Sequence, residues 1–188
     1  SRRAGRGLVR VSDSKENFCA DGCPPTEGRY ASSVANEINI AKGKERRMDE
    51  KKKVYVETSV ISNLTARPSH NPIDAAAQIA SHEWWFSAPS RFKLFASPLV
   101  EDEAARGDAE AASRRLAVVK ELRILSIDDR MFVLAEKLLA ATAVPRTSYD
   151  DAVHIATAAI HGMDYLVTWN CSHIANVETR PLIRKTIE

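Results

Sequence analysis

The chain has 188 residues, 44% of them apolar and 28% charged, with a formal net charge of +2, which supplies one sizeable core and the ordinary charge content of a soluble globular protein. It contains no apolar run approaching the ~18 to 20 residues of a membrane helix and no apolar signal-peptide core, so the expectation is a cytoplasmic protein with no membrane association. Residues 1–53 carry 13 Lys+Arg against 8 Asp+Glu and the remainder 14 against 17, so the folded part is slightly acidic and nucleic-acid binding by overall charge alone is excluded; it would need a local basic patch or a metal.

Residues 1–47 are rich in Gly, Ser, Arg and Asn, hold few large apolar residues and show no sustained period. That composition predicts a disordered tail or an upstream, non-native extension, with Met48 as the natural start and 48–188 as the folded domain. Cys19 and Cys23 lie in this tail, but a structural zinc site wants four ligands and no second pair follows. With Cys171 the cysteines are odd in number and sparse, which suits free thiols in a reducing compartment.

From Lys53 onward strand and helix patterns alternate. VYV is the first strand, and NPIDAAAQIASHEWWF is a helix with Asn71 as its cap and Pro72 at its first position. KLFAS is a second strand, PLVEDEAAR a short helix closed by Gly107, and DAEAASRRLAVVKEL a helix opening at Asp108. RILSI is a third strand, DDRMFVLAEKLLAAT a helix, SYDDAVHIATAAIHG a helix ending at Gly162, and DYLVTW a fourth strand. Such alternation predicts an α/β fold, a parallel sheet covered by helices on both faces. Ligands of such sheets sit beyond the carboxyl ends of the strands, where Glu57 and Asn170 fall.

Helical spacing sorts the acids. Glu103 lies four residues after Leu99 and three after Val100, on their apolar face, whereas Asp102 is spaced for a surface pair with Arg106. Asp150 shares a polar face with His154, Thr157 and His161, while Asp151 aligns with Ile155 and Ala158, toward the cleft. Three inward acids repel one another unless a cation neutralises them, and oxygen ligands of this kind suit Mg²⁺ or Mn²⁺, which can activate a water for in-line attack on a phosphodiester. Each acid taken singly also fits a helix cap: Ser148-x-x-Asp151 matches a capping box, and Thr58 or Ser59 suits the start of the helix after Glu57.

The stretches YVETSVISNL, SPLVEDEAARGD and DAVHIATAAIHGMDYLVTWNCSHIAN resemble the PIN-domain ribonucleases, and within them the VapC-like toxins of type II toxin–antitoxin pairs, in a subgroup with TWNC followed by HIAN. The resemblance implies a PIN-like three-layer fold with a central parallel sheet and metal-dependent endonucleolytic cleavage of RNA. It further implies a cognate antitoxin that fills the active-site groove, and a homodimer. By matching motif, the family's acids fall on Glu57, Glu103 and Asp151, and its fourth acidic position on Asn170. Thr58 and Ser59 take the supporting hydroxyl positions. Glu57 lengthens the usual Asp by one methylene, and Asn170 keeps a carbonyl oxygen but loses a charge. Related chains continue into a last strand, so a domain lacking that strand is expected here.

Among other conspicuous residues, Trp84 and Trp85 suit core and interface better than base stacking. His173 and Cys171, in a polar loop, suit solvation better than catalysis, and Arg67 and Arg91 are candidates for backbone phosphates. The competing function is a catalytically weak PIN-like module that holds RNA or a protein partner. A phosphotransfer domain with an acid nucleophile after the first strand fits less well, because no Lys follows a later strand.

Overall fold

A computed structural model of the chain describes residues 8–10 and 51–188. Cys19, Cys23, Met48 and nearly all of the stretch 1–47 lie outside the described residues. The exception is β1 (Leu8–Arg10), which pairs antiparallel with a later strand, so the expected lack of regular structure does not extend to these three residues.

The other elements follow the alternation read from the sequence. They are β2 (Lys52–Val56), α1 (Thr58–Thr65), α2 (Pro72–Arg91), β3 (Phe92–Ala96), α3 (Pro98–Ala104), α4 (Ala109–Val119), β4 (Arg123–Ile124), α5 (Asp129–Ala140), α6 (Tyr149–Ile160), β5 (Tyr165–Val167) and α7 (Arg180–Ile187). Asn71 accepts from the Ile73 amide at 2.9 Å and Asp108 from the Ala111 amide at 2.9 Å, the side-chain caps that satisfy orphaned donors at helix starts. Two extents differ from expectation. α2 runs on through Pro89 to Arg91, because a proline in the last turn forfeits only one backbone bond. The run RILSI forms only the two-residue β4, whose parallel pairing with β3 covers Phe95↔Arg123 and Ala96↔Ile124.

The sheet order is β1-β5-β2-β3-β4. β2 pairs in parallel with β3 on one side and β5 on the other, and β3 pairs in parallel with β4. This central parallel sheet flanked by helices is the α/β, PIN-like architecture expected. The chain moves from β2 outward to β3 and β4 and then returns to the opposite flank as β5, so the order reverses at β2. In open α/β sheets the crevice at that reversal, outside the carboxyl ends of the strands, is where ligands bind. Val54, Tyr55 and Val56 are fully buried in the core, and the Glu57 amide donates to Val167 O at 3.1 Å, which pins the end of β2 to β5.

The core gathers β2, α5 and α6, with Ile61, Met131, Leu138 and Leu166 among its largest buried side chains. Trp84 and Trp85 are half-buried against this core, in keeping with their reading as packing residues. No helix among the described residues is long and apolar enough to cross a membrane.

Candidate metal centre

Glu57 is the N-cap of α1: its Oε1 accepts from the Ser59 amide at 3.0 Å. Of the caps read at this helix start, the one at Glu57 forms, rather than one at Thr58 or Ser59. Its other oxygen, Oε2, accepts from Ser59 Oγ and from Thr168 Oγ1, the latter at 2.6 Å. Glu57 is only 6% exposed, and among the described residues no Lys or Arg is ion-paired to its carboxylate.

Glu103 enters from α3. Its Oε2 accepts from Thr58 Oγ1 and faces His154 Nε2 at 3.0 Å. Burial pushes the Glu103 carboxyl up, but His154, Thr58 and Arg106 together outweigh it and hold the group below its ordinary value of 4.5; it is ionised at neutral pH. Glu57, Glu103 and His154 each offer a donor atom within 4.8 Å of the others. Glu57, Thr58, Ser59, Glu103 and Arg106 line a cleft of about 690 Å³ that extends to Asp74 and Gln78 of α2.

His154 is the residue the sequence reading misplaced. Spacing set Asp150, His154, Thr157 and His161 on one polar face, yet His154 and Thr157 are at most 1% exposed. α6 is buried without a break from Ala152 to Ala158, because the sheet and α5 cover it. A buried polar side chain is tolerated there when it finds partners, and His154 finds Glu103 and Tyr55. The usable signal was the imidazole at i+3 from Asp151 beside an otherwise apolar run.

Asp151 and Asn170 come together in an adjoining cluster. Asn170 Nδ2 donates to Asp151 Oδ1 at 2.9 Å, and His173 Nδ1 lies 2.8 Å from Asp151 Oδ2. Ser148 Oγ is 3.0 Å from His173 Nδ1 and makes no cap bond to α6, so the capping box read at Ser148 and Asp151 does not form. Asn170 N donates to Thr168 Oγ1 at 2.8 Å, and that hydroxyl donates to Glu57. Asp151 is thus joined to Glu57 through Asn170 and Thr168; it is not among the residues lining the cleft. An acid at position 170 would repel Asp151, whereas the amide donates to it.

One surface pairing differs from expectation. Arg106 pairs with Asp150 at 3.7 Å instead of Asp102. Arg67 pairs with Glu110 at 2.9 Å, Arg91 lies 5.1 Å from the Phe92 ring centroid, and Cys171 is an exposed free thiol.

The donor set fits a divalent cation. Two carboxylates converge at the reversal of strand order, one of them buried with hydroxyl and amide donors but no cationic partner, and hard cations favour oxygen ligands. A search of curated proteins finds no match to the chain. Against known families, residues 54–170 match the PIN domain, whose members are generally nucleases. That span runs from within β2 to Asn170, more than half of the chain, and the chain belongs to the PIN domain family.

Proposed function

We propose that the chain is a metal-dependent endoribonuclease. The observation that carries this reading is the buried carboxylate of Glu57 converging with Glu103 on a polar cleft at the strand-order reversal. Glu57 and Glu103 would hold Mg²⁺ or Mn²⁺, with Asp151 and Asn170 on the β5 side. A bound cation supplies polarisation of the scissile phosphate and a water acidic enough to attack it. The chain's own residues fix the geometry: Ser59 and Thr168 hold Glu57, Thr58 and His154 hold Glu103, and Asn170 and His173 hold Asp151. Arg106, exposed at the cleft wall, is suited to a substrate phosphate.

The resemblance of the YVETSV and TWNC…HIAN stretches to VapC-like toxins supports a toxin role, with RNA as substrate and with an antitoxin seated in the cleft and a homodimer as the partners to be tested. One observation favours the weaker alternative, a module that binds RNA without efficient cutting: both Asp151 oxygens are engaged by Asn170 and His173.

Cleavage of a mixed structured-RNA pool by the purified chain, with Mg²⁺ or Mn²⁺ and with EDTA, tests the choice. Cutting that needs the metal and falls at least roughly a hundredfold in Glu57→Ala and Asp151→Ala supports the nuclease, since even partners of metal ligands are worth ~10 to 100-fold. A folded chain that binds RNA and cuts none of it supports the binding module.

A further inference from the structure

A chain of buried hydrogen bonds ends on Glu103. Ser97 Oγ lies 2.7 Å from Tyr55 Oη, Tyr55 Oη lies 2.8 Å from His154 Nδ1, and His154 Nε2 lies 3.0 Å from Glu103 Oε2. Ser97, Tyr55 and His154 are all at most 1% exposed, so water does not compete for the Ser97–Tyr55 and Tyr55–His154 bonds, while Glu103 at the end of the chain reaches the cleft. Ser97 is the N-cap of α3, the helix that carries Glu103, yet its hydroxyl makes no cap bond and turns to Tyr55 instead. Tyr55 lies in β2, two residues before Glu57, the N-cap of α1.

The direction of the chain is set at its acidic end. An ionised carboxylate only accepts, so the hydrogen between His154 and Glu103 sits on Nε2. In the neutral imidazole Nδ1 is then an acceptor, Tyr55 donates to it, and Ser97 donates to Tyr55. Both His154 and Thr58 bond the same Glu103 oxygen, Oε2; Oε1 makes no hydrogen bond among the described residues.

We propose that His154 is a positioning residue for Glu103: Ser97 and Tyr55 lock it as the Nε2–H tautomer, it saturates Oε2, and Oε1 is left as the oxygen offered to the cation. The inference rests on the reading of Glu57 and Glu103 as a metal centre and separates His154 from the ligands. A ligating imidazole must present a lone pair, and Nε2 has none while it donates to Glu103. Outer partners of this kind fix ligand orientation and are worth about 10 to 100-fold in metal affinity.

The test combines a spectrum with a titration. In metal-free protein carrying ¹⁵N-histidine, long-range ¹⁵N–¹H correlation should show His154 with a protonated Nε2 and a bare Nδ1; the opposite tautomer overturns the proposal. Adding Mg²⁺ should leave the Nε2 proton in place, and its loss would make His154 a ligand and overturn the proposal. By calorimetric titration with Mn²⁺, Tyr55→Phe and His154→Leu should bind about tenfold more weakly. His154→Gln, whose amide can donate to Oε2, should recover most of that loss. RNA cleavage should follow in kcat, with KM unchanged. Circular dichroism of each variant checks the fold, and Tyr55→Phe carries the test if His154→Leu does not fold. Equal Mn²⁺ affinity across the variants overturns the positioning role and leaves the metal centre standing; no Mn²⁺ binding by the unmodified protein overturns the metal centre and this proposal with it.

Discussion

Glu57 carries two duties with one carboxylate: Oε1 caps α1 through the Ser59 amide, and the group faces the cleft. Glu57→Gln keeps a carbonyl oxygen for the cap and removes the charge. It should therefore retain its fold by circular dichroism while losing Mn²⁺ affinity about tenfold or more in calorimetry; unchanged affinity would remove Glu57 from the metal centre. Glu103 gives a pH signature. Burial opposes its ionisation, His154 and Thr58 favour it, and the net shift is downward. A carboxyl depressed on folding contributes stability that is fully present above its unfolded value, 4.5, and is lost as pH falls through the lower folded value. Urea unfolding of metal-free protein from pH 7 to 3 should show the stability difference between wild type and Glu103→Gln shrinking below about pH 4.5. A difference constant with pH would contradict the shift. The identities of Glu57 and Glu103 were legible because each has a local signal, a strand end and an apolar helix face. His154 was not, because its partners Tyr55 and Glu103 are 99 and 51 residues away.

Two helices end in the same motif with different residues. α5 closes with Thr142 N bonding Leu139 O and Ala143 N bonding Leu138 O; α6 closes with Gly162 N bonding Ala159 O and Met163 N bonding Ala158 O. Both are paired 6→1 and 5→2 bonds around a left-handed residue. Gly162 adopts φ 60° without strain, but Thr142 adopts φ 56° as a β-branched residue, where the L-configuration costs ~1–2 kcal/mol. Thr142→Gly should therefore stabilise the chain by about 1 kcal/mol and Gly162→Ala destabilise it by about the same amount, read as opposite shifts of the urea midpoint. A Cβ at Gly162 meets nothing within 4 Å, so backbone conformation alone is tested. The sequence marked Gly162 as a helix end; nothing local marked Thr142, which sits at a position where the bonds of α5 and the packing of Ala143 and Val144 override propensity.

At the scale of the whole molecule, a cation bound only by the folded state stabilises all of it. At 100 times its dissociation constant, Mn²⁺ should add about 2.7 kcal/mol and raise the Tm in a thermal scan. Glu57→Ala should abolish most of that rise, whereas a rise that survives the substitution would place the ion elsewhere. The site draws on β2, α3, α6 and the end of β5, which meet only because strand order reverses at β2.

From the sequence alone came the alternation of strands and helices, the caps at Asn71 and Asp108, and the acids at Glu57, Glu103 and Asp151, since periodicity and capping are properties of neighbouring residues. The tertiary structure decided which of them meet. It joined Glu103 to His154 and set Asn170 against Asp151, and it linked that pair to Glu57 through Thr168. Those contacts span tens of residues, and their geometry follows from how α3 and α6 pack on the sheet, which no local spacing encodes.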